Sequence, residues 1–293
     1  MHNYTTFSGK EVSDHVYRNL KERVELLLKN NIQPGLAAIL VGENPASKIY
    51  INMKTKIFHR LGLKTQTFKL SIDCSQTDLI QVIETINNDS SFHGILVQLP
   101  LPKHIDSNSV INSIRPEKDV DGFHPVNAGL LSIGTPRFIP CTPKGIMKIL
   151  EYYKVNLRGK HVVVLGRSNI VGRPMSILTS LKTNGANSTT TICHSGSSNI
   201  EKFTKIADII IVALGVPNYL TKDMIKKDAI LIDVGINRVN DNSEKGYKLC
   251  GDVFWEEVIE KAKAVTPVPG GVGPMTIAML VENTVEAAEN TLK

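Results

Sequence analysis

The chain has 293 residues, room for one large or two medium domains, and its 42% hydrophobic and 21% charged content excludes wholesale disorder. No apolar run approaches the length of a membrane span, and no basic segment leads into an apolar one at the N-terminus, so no membrane association and no secretory signal are expected. The net charge of +6 leaves nucleic acid open as a partner, but Lys and Arg are scattered and aromatics reach only 5%, too sparse for a stacking platform; a diffuse field drawing in small anions reads at least as well.

From the N-terminus, Val12, Val16, Leu20, Val24, Leu27 and Leu28 form the stripe of a helix over Glu11 to Asn30. Pro34-Gly35 breaks it, and Leu36 to Val41 reads as a buried strand. A second helix starts at Asn44-Pro-Ala-Ser47 and stops at Gly62. On it Tyr50 and Lys54 are four apart, so they share a face. Such a pair can hold a flat ligand against the ring and present an ammonium to it. For an arbitrary such pair the commoner reading is a half-buried tyrosine beside a surface lysine.

Thr65 to Leu70 is expected as a strand, Leu79 to Ile86 as a helix, and His93 to Pro100 as a strand stopped by prolines. Gln98 ends that strand, where its amide needs either a structural partner or a ligand. A short helix over Val110 to Ile114 precedes Lys118-Asp-Val-Asp-Gly-Phe123. There Asp119 and Asp121 suit either a cation or the N–H groups of a heterocycle, and no further ligand cluster supports the cation.

Gly, Pro and Ser between Asn127 and Cys141 mark a domain junction, and a helix over Lys144 to Tyr153 leads into the second half. Strands are expected at Val162–Leu165, Thr189–Cys193, Ile209–Ala213, Ile230–Val234 and Ala264–Val265, with a long last helix over Met275 to Leu292. Alternating strands and helices indicate an α/β protein with mainly parallel sheets. Gly166 ends the first of these strands, and Gly172 and Pro174 open a helix after a polar turn. That is either a phosphate cradle at a helix N-terminus or an ordinary connection, since the spacing is not G-x-G-x-x-G.

The next strand runs into Cys193-His-Ser-Gly-Ser-Ser198 without a carboxylate. An acid there would select NAD by bonding its ribose hydroxyl; hydroxyls of Ser195, Ser197 or Ser198, with Arg167 reaching across, favour NADP instead. Arg167 can also be read as a solvated surface residue. Asp233, after three apolar residues, reads better as a buried structural acid than as a ligand. Cys74, Cys141, Cys193 and Cys250 are far apart, which argues against a zinc site or disulfides and fits a reducing cytoplasm.

Six stretches, in order, resemble the bifunctional methylenetetrahydrofolate dehydrogenase/cyclohydrolase family. They are 44–54, 94–102, 118–123, Pro140-Cys-Thr-Pro143, Gly166 to Pro174, and Thr266-Pro-Val-Pro-Gly-Gly-Val-Gly-Pro-Met-Thr276. The resemblance spans nearly the whole chain. It implies a two-domain α/β enzyme: a folate-binding catalytic domain over 1–126 with the last helix, 275–293, packed back on it, and a Rossmann-like NADP domain over 127–274. It also implies oxidation of 5,10-methylenetetrahydrofolate with NADP, then hydrolysis to 10-formyltetrahydrofolate, in one-carbon metabolism serving purine biosynthesis.

By the same resemblance Lys54 is catalytic with Gln98 positioning it, Tyr50 stacks on the aminobenzoyl ring, and Asp121 anchors the pterin. Leu99, Pro269, Gly270 and Gly271 complete the folate site; Gly166, Arg167, Ser168, Ser195 and Ile232 hold NADP; no metal is implied. A homodimer is expected from the family alone, and a folate carrying several glutamates would suit the positive charge. Two stretches depart from the family pattern: Lys182 to Thr189 is a longer connection than usual, and Gly251-Asp-Val-Phe-Trp-Glu256 differs from the commoner ending.

Overall fold

The computed structural model describes residues 3–241 and 246–292. In chain order the elements are β1 (Thr5–Thr6), α1 (Gly9–Lys29), β2 (Gly35–Val41), α2 (Pro45–Arg60), β3 (Lys64–Leu70), α3 (Gln76–Asn88), β4 (Gly94–Val97), α4 (Ser107–Ser113), α5 (Pro125–Ser132) and α6 (Cys141–Tyr152). They continue as β5 (His161–Leu165), α7 (Gly172–Ser180), β6 (Thr189–Cys193), α8 (Ile200–Thr204), β7 (Ile209–Val212), β8 (Ile230–Asp233), β9 (Asn237–Asn240) and β10 (Tyr247–Cys250). Helix α9 (Trp255–Val258), β11 (Ala264–Val265) and α10 (Val272–Glu289) follow.

The chain forms two compact units: Val16–Cys141 with Ile277–Lys293, and Met1–His15 with Thr142–Thr276. These bounds differ from the sequence expectation at both ends. The first fifteen residues belong with the second half because β1 pairs in parallel with β11, Thr5 opposite Ala264 and Thr6 opposite Val265. A two-residue exposed strand has no periodicity to read. The stretch 127–141, expected as a junction, lies within the first unit and begins in α5, which Pro125 opens and His124 caps by accepting from Val126 N–H.

In the first unit a three-stranded parallel sheet has the order β3-β2-β4. All seven residues of β2 are buried, which is why it reads as a continuous apolar run rather than an alternation. Helix α3 covers one face, with Leu79, Ile83 and Ile86 packed on Ala37, Ile39 and Ile95. A capping box between Ser75 and Asp78 fixes where α3 begins. From Ile277 onward α10 belongs to this unit, and Arg23 of α1 grips Glu289 with two bonds of 2.8 and 2.7 Å.

The second unit is a six-stranded parallel sheet of order β1-β11-β8-β7-β5-β6. From β5 the chain steps to β6 on one side and then crosses to β7 on the other. The carboxyl ends of β5 and β7 therefore part at a topological switch point, where open α/β sheets take their ligands. The antiparallel hairpin β9–β10 was not expected from the sequence, since its strands are short and polar. No helix among the described residues is long and apolar enough to cross a membrane.

Candidate active site

In the first unit the chemistry gathers at the carboxyl edge of the small sheet. Asn44 caps α2 by accepting from Ser47 N–H at 3.1 Å, and Pro45 occupies the first helical turn. This start sets the phase of the helix, so Tyr50 and Lys54 follow each other along one face, Tyr50 exposed and Lys54 half-buried. Gln98 follows β4 directly and its N–H donates to Ile39 O of β2 at 2.9 Å. Lys54 Nζ donates to Gln98 Oε1 at 3.2 Å, while Gln98 Nε2 donates to Leu99 O at 2.8 Å. The amide thereby has one orientation, with its oxygen on the ammonium.

The two aspartates of 118–123 part company. Residues 118–120 run beside β4, with Ile95 N–H donating to Lys118 O at 2.7 Å. Asp119 turns inward, 2% exposed, and accepts from Phe123 N–H, His124 N–H and Asn127 Nδ2 at 3.2, 2.8 and 2.8 Å. It is consumed by the fold, so the pair does not act as a pair. Asp121 has no such backbone partners among the described residues and faces the Lys54 charge instead. Burial pushes its carboxyl up to about 6; the Lys54 charge opposes this, Asp119 adds to it, and a thiol bond from Cys141 Sγ at 3.6 Å opposes it. Lys54, Gln98 and Asp121 thus form one electrostatic group.

Two residues supporting Asp121 were invisible in the sequence. Asn283 of α10, with no exposure, donates to Val120 O at 2.7 Å and Ile139 O at 3.0 Å. Cys141 donates to Asp121 from the start of α6. Nothing in local pattern links positions this far apart; only the folded path of α10 brings them together.

In the second unit Gly166 leaves β5 with φ +117°, and a Cβ there would lie 2.3 Å from Ala213 O. Only glycine fits. A Cβ on Gly172 would lie 2.2 Å from Gly166 O, so the turn closes tightly on the start of α7. Ser168 Oγ accepts from Val171 N–H at 3.1 Å and holds that turn, while Arg167 projects from it to within 3.4 Å of His194 Nε2 at the end of β6. Two basic side chains thus converge where the sequence offers no acid. Ser195 is exposed beside them, and Ser197 Oγ accepts from His194 N–H at 3.0 Å.

Ile232 is fully enclosed within β8, so its side chain is not presented to a ligand and only its main chain could be. Asp233 is buried, accepting from Gly235, Asp252 and Val253 N–H groups at 3.0 Å each, and burial against these bonds pushes it up to about 7. Pro269, Gly270 and Gly271 precede α10 in this second unit; Lys10 N–H donates to Gly270 O at 3.1 Å. The cradle that Cβ atoms would fill, the turn at a helix start and the basic pair fit a dinucleotide phosphate. Fold and site define an α/β enzyme with a nucleotide-binding parallel sheet and a lysine–amide–carboxylate group on a smaller one.

Comparison with known proteins gives the family. Residues 7–121 match the catalytic domain of tetrahydrofolate dehydrogenase/cyclohydrolase, and residues 140–292 match its NAD(P)-binding domain. The chain belongs to this family. It is 51% identical over 282 residues to the bifunctional protein FolD of Acetivibrio thermocellus, covering 96% of each chain, and 50% identical over 287 residues to that of Chlorobium phaeobacteroides, covering 97% of this chain and 96% of the relative. The crystal structure of the bifunctional dehydrogenase/cyclohydrolase FolD from Campylobacter jejuni has a TM-score of 0.93 at 47% identity, with 99% of this chain and all of that one covered. The Trypanosoma brucei enzyme, solved with NADP cofactor and inhibitor, has a TM-score of 0.94 at 35% identity over the full length of both chains. The chain is an enzyme with both activities.

Proposed function

We propose that the lysine–amide–carboxylate group of the first unit handles the folate and the Gly166 turn of the second seats the dinucleotide. The reaction is oxidation of 5,10-methylenetetrahydrofolate to the 5,10-methenyl compound, then hydrolysis to 10-formyltetrahydrofolate. The observation that carries the assignment of residues is the Lys54–Gln98 bond with Asp121 in electrostatic contact.

NADP is the cofactor, and when bound it accepts hydride from the methylene carbon. Around it Gly166 admits the backbone to the phosphates, Arg167 beside His194 meets the extra phosphate, Ser168 shapes the turn, Ser195 offers a hydroxyl, and Ile232 contributes main chain. In the first unit Tyr50 stacks on the aminobenzoyl ring, Asp121 as a carboxylate accepts from pterin N–H groups, and Leu99 lies alongside. Lys54 moves the proton as water adds to the methenyl carbon, and Gln98 holds the ammonium where that proton is needed. Positioning does most of the work, because the substrate becomes a cation on losing hydride.

Polyglutamated folate as substrate, a homodimer in a cytoplasmic setting and supply of the formyl product to purine biosynthesis belong to the same proposal. One assay tests its core. Methylenetetrahydrofolate is supplied with NADP and NAD side by side, and reduction is read in the near-ultraviolet. NADP should be the better cofactor, and Arg167→Ala should narrow the difference. A clear preference for NAD would overturn the role of the acid-free β6 end.

A further inference from the structure

Two buried aspartates hold the carboxyl edge of the six-stranded sheet together. Asp252 has no exposure, yet it serves a turn that is mostly exposed. Its Oδ2 accepts from Leu214 N–H at 2.7 Å and Gly215 N–H at 2.8 Å, and its Oδ1 accepts from Asn237 Nδ2 at 2.7 Å. Asp233, at the end of β8, fixes Asp252 in turn by accepting from the N–H groups of Asp252 and Val253.

The packing leaves no slack. A Cβ on Gly235 would lie 2.2 Å from Asp252 Oδ1, and one on Gly251 would lie 1.7 Å from Asp233 Oδ2. Burying two adjacent carboxylates is costly, and every oxygen here is spent on a donor. What they secure is specific. Leu214 and Gly215 follow β7, and Ala213 just before them is the residue whose carbonyl oxygen crowds Gly166. The held turn is therefore the opposite wall of the switch-point crevice.

We propose that Asp252 is a positioning residue for the dinucleotide, its carboxylate fixing the Leu214–Gly215 turn and Asn237 so that the crevice facing Gly166 is formed before the cofactor arrives. Preforming the wall spares the cofactor the entropy of ordering it. Hydrolysis of the methenyl compound consumes no dinucleotide, so the two activities separate this role from general stability. The proposal rests on the cofactor seat at the Gly166 turn.

The test is titration of NADP into folded Asp252→Ala, Asp252→Asn and Arg167→Ala proteins, with both activities measured. Asp252→Ala strands two backbone N–H donors and the Asn237 amide, and should weaken NADP binding and raise its KM by about tenfold, with the cyclohydrolase rate unchanged. An asparagine oxygen can still accept from both donors, so Asp252→Asn should recover part of the loss. Unchanged NADP affinity in Asp252→Ala overturns the proposal, as does equal loss of both activities in Asp252→Asn. If Asp252→Ala does not fold, Asp252→Asn alone decides, since unaltered affinity there also overturns it. Weakened binding in Arg167→Ala beside unaltered binding in both Asp252 variants refutes the bracing and leaves the seat; unaltered binding in all three refutes the seat as well.

Discussion

Lys54 Nζ donates to Gln98 Oε1 at 3.2 Å, and the Gln98 amide nitrogen, donating to Leu99 O at 2.8 Å, keeps that oxygen turned to the ammonium. The pair joins α2 to the end of β4. A flexible four-carbon side chain is thus given a fixed end point, which proton transfer requires.

Substituting Lys54→Met keeps the length and removes the proton. Hydrolysis of the methenyl compound should fall by about 10²–10⁴-fold, the range for loss of a positioned acid–base group. Gln98→Ala should cost less, because the lysine remains but wanders. The decay of methenyl absorbance reads both, and a full hydrolysis rate in the methionine variant would remove Lys54 from the mechanism.

On the proposed role, Asp121 should make the enzyme sensitive to mild acid. Its carboxyl, raised from 3.8 to about 6 by burial, is ionised above that pH and protonated below it. The charges facing it are Lys54 and Asp119, with the Cys141 thiol as a donor. Folate binding that needs the carboxylate should weaken as pH drops through about 6, and Asp121→Asn should abolish that limb of the kcat/KM profile. For stability the sign is opposite: the raised value favours the fold below 3.8, and that advantage is lost as pH rises through about 6. Thermal melting of the two proteins against pH should show the wild type losing ground over that window.

Gly166→Ala places a methyl 2.3 Å from Ala213 O in a backbone conformation that disfavours side chains. The turn must move, and NADP binding should be lost while methenyl hydrolysis persists. Calorimetric titration of NADP checks the first half, and retained affinity would mean the phosphates sit elsewhere.

Asn283→Ala removes the amide that donates to two buried carbonyl groups, those of Val120, which keeps the Cys141 thiol, and Ile139. Unfolding stability should drop by about 1–3 kcal/mol. Because Val120 adjoins Asp121, KM for folate should rise as well, with KM for NADP unaffected. Denaturant melts and steady-state kinetics separate the two effects.

The net charge of +6 gives a further expectation. Added salt should raise KM for a polyglutamated folate more than for the monoglutamate, as screening weakens attraction of the anionic tail. Equal salt dependence for both would remove the charge from substrate recognition.

The sequence by itself determined the α/β class, most of the strands and helices, and the ordered motifs that mark the family. These are local signals: the unbroken run of β2, Pro45 and Asn44 at the start of α2, and a glycine ending β5 before a polar turn and a helix. Residue chemistry alone left Asp119 and Asp121, two positions apart, as equal candidates; only the family resemblance singled out Asp121. What tertiary structure decided is their surroundings, turning Asp119 onto Asn127 and two N–H groups and leaving Asp121 toward Lys54. It also placed β1 beside β11, and set Asn283 and Cys141 behind Asp121. The reason is physical. Propensity, capping and backbone strain act over a few residues, whereas burial and the pairing of buried polar groups depend on which distant segments the fold brings into contact.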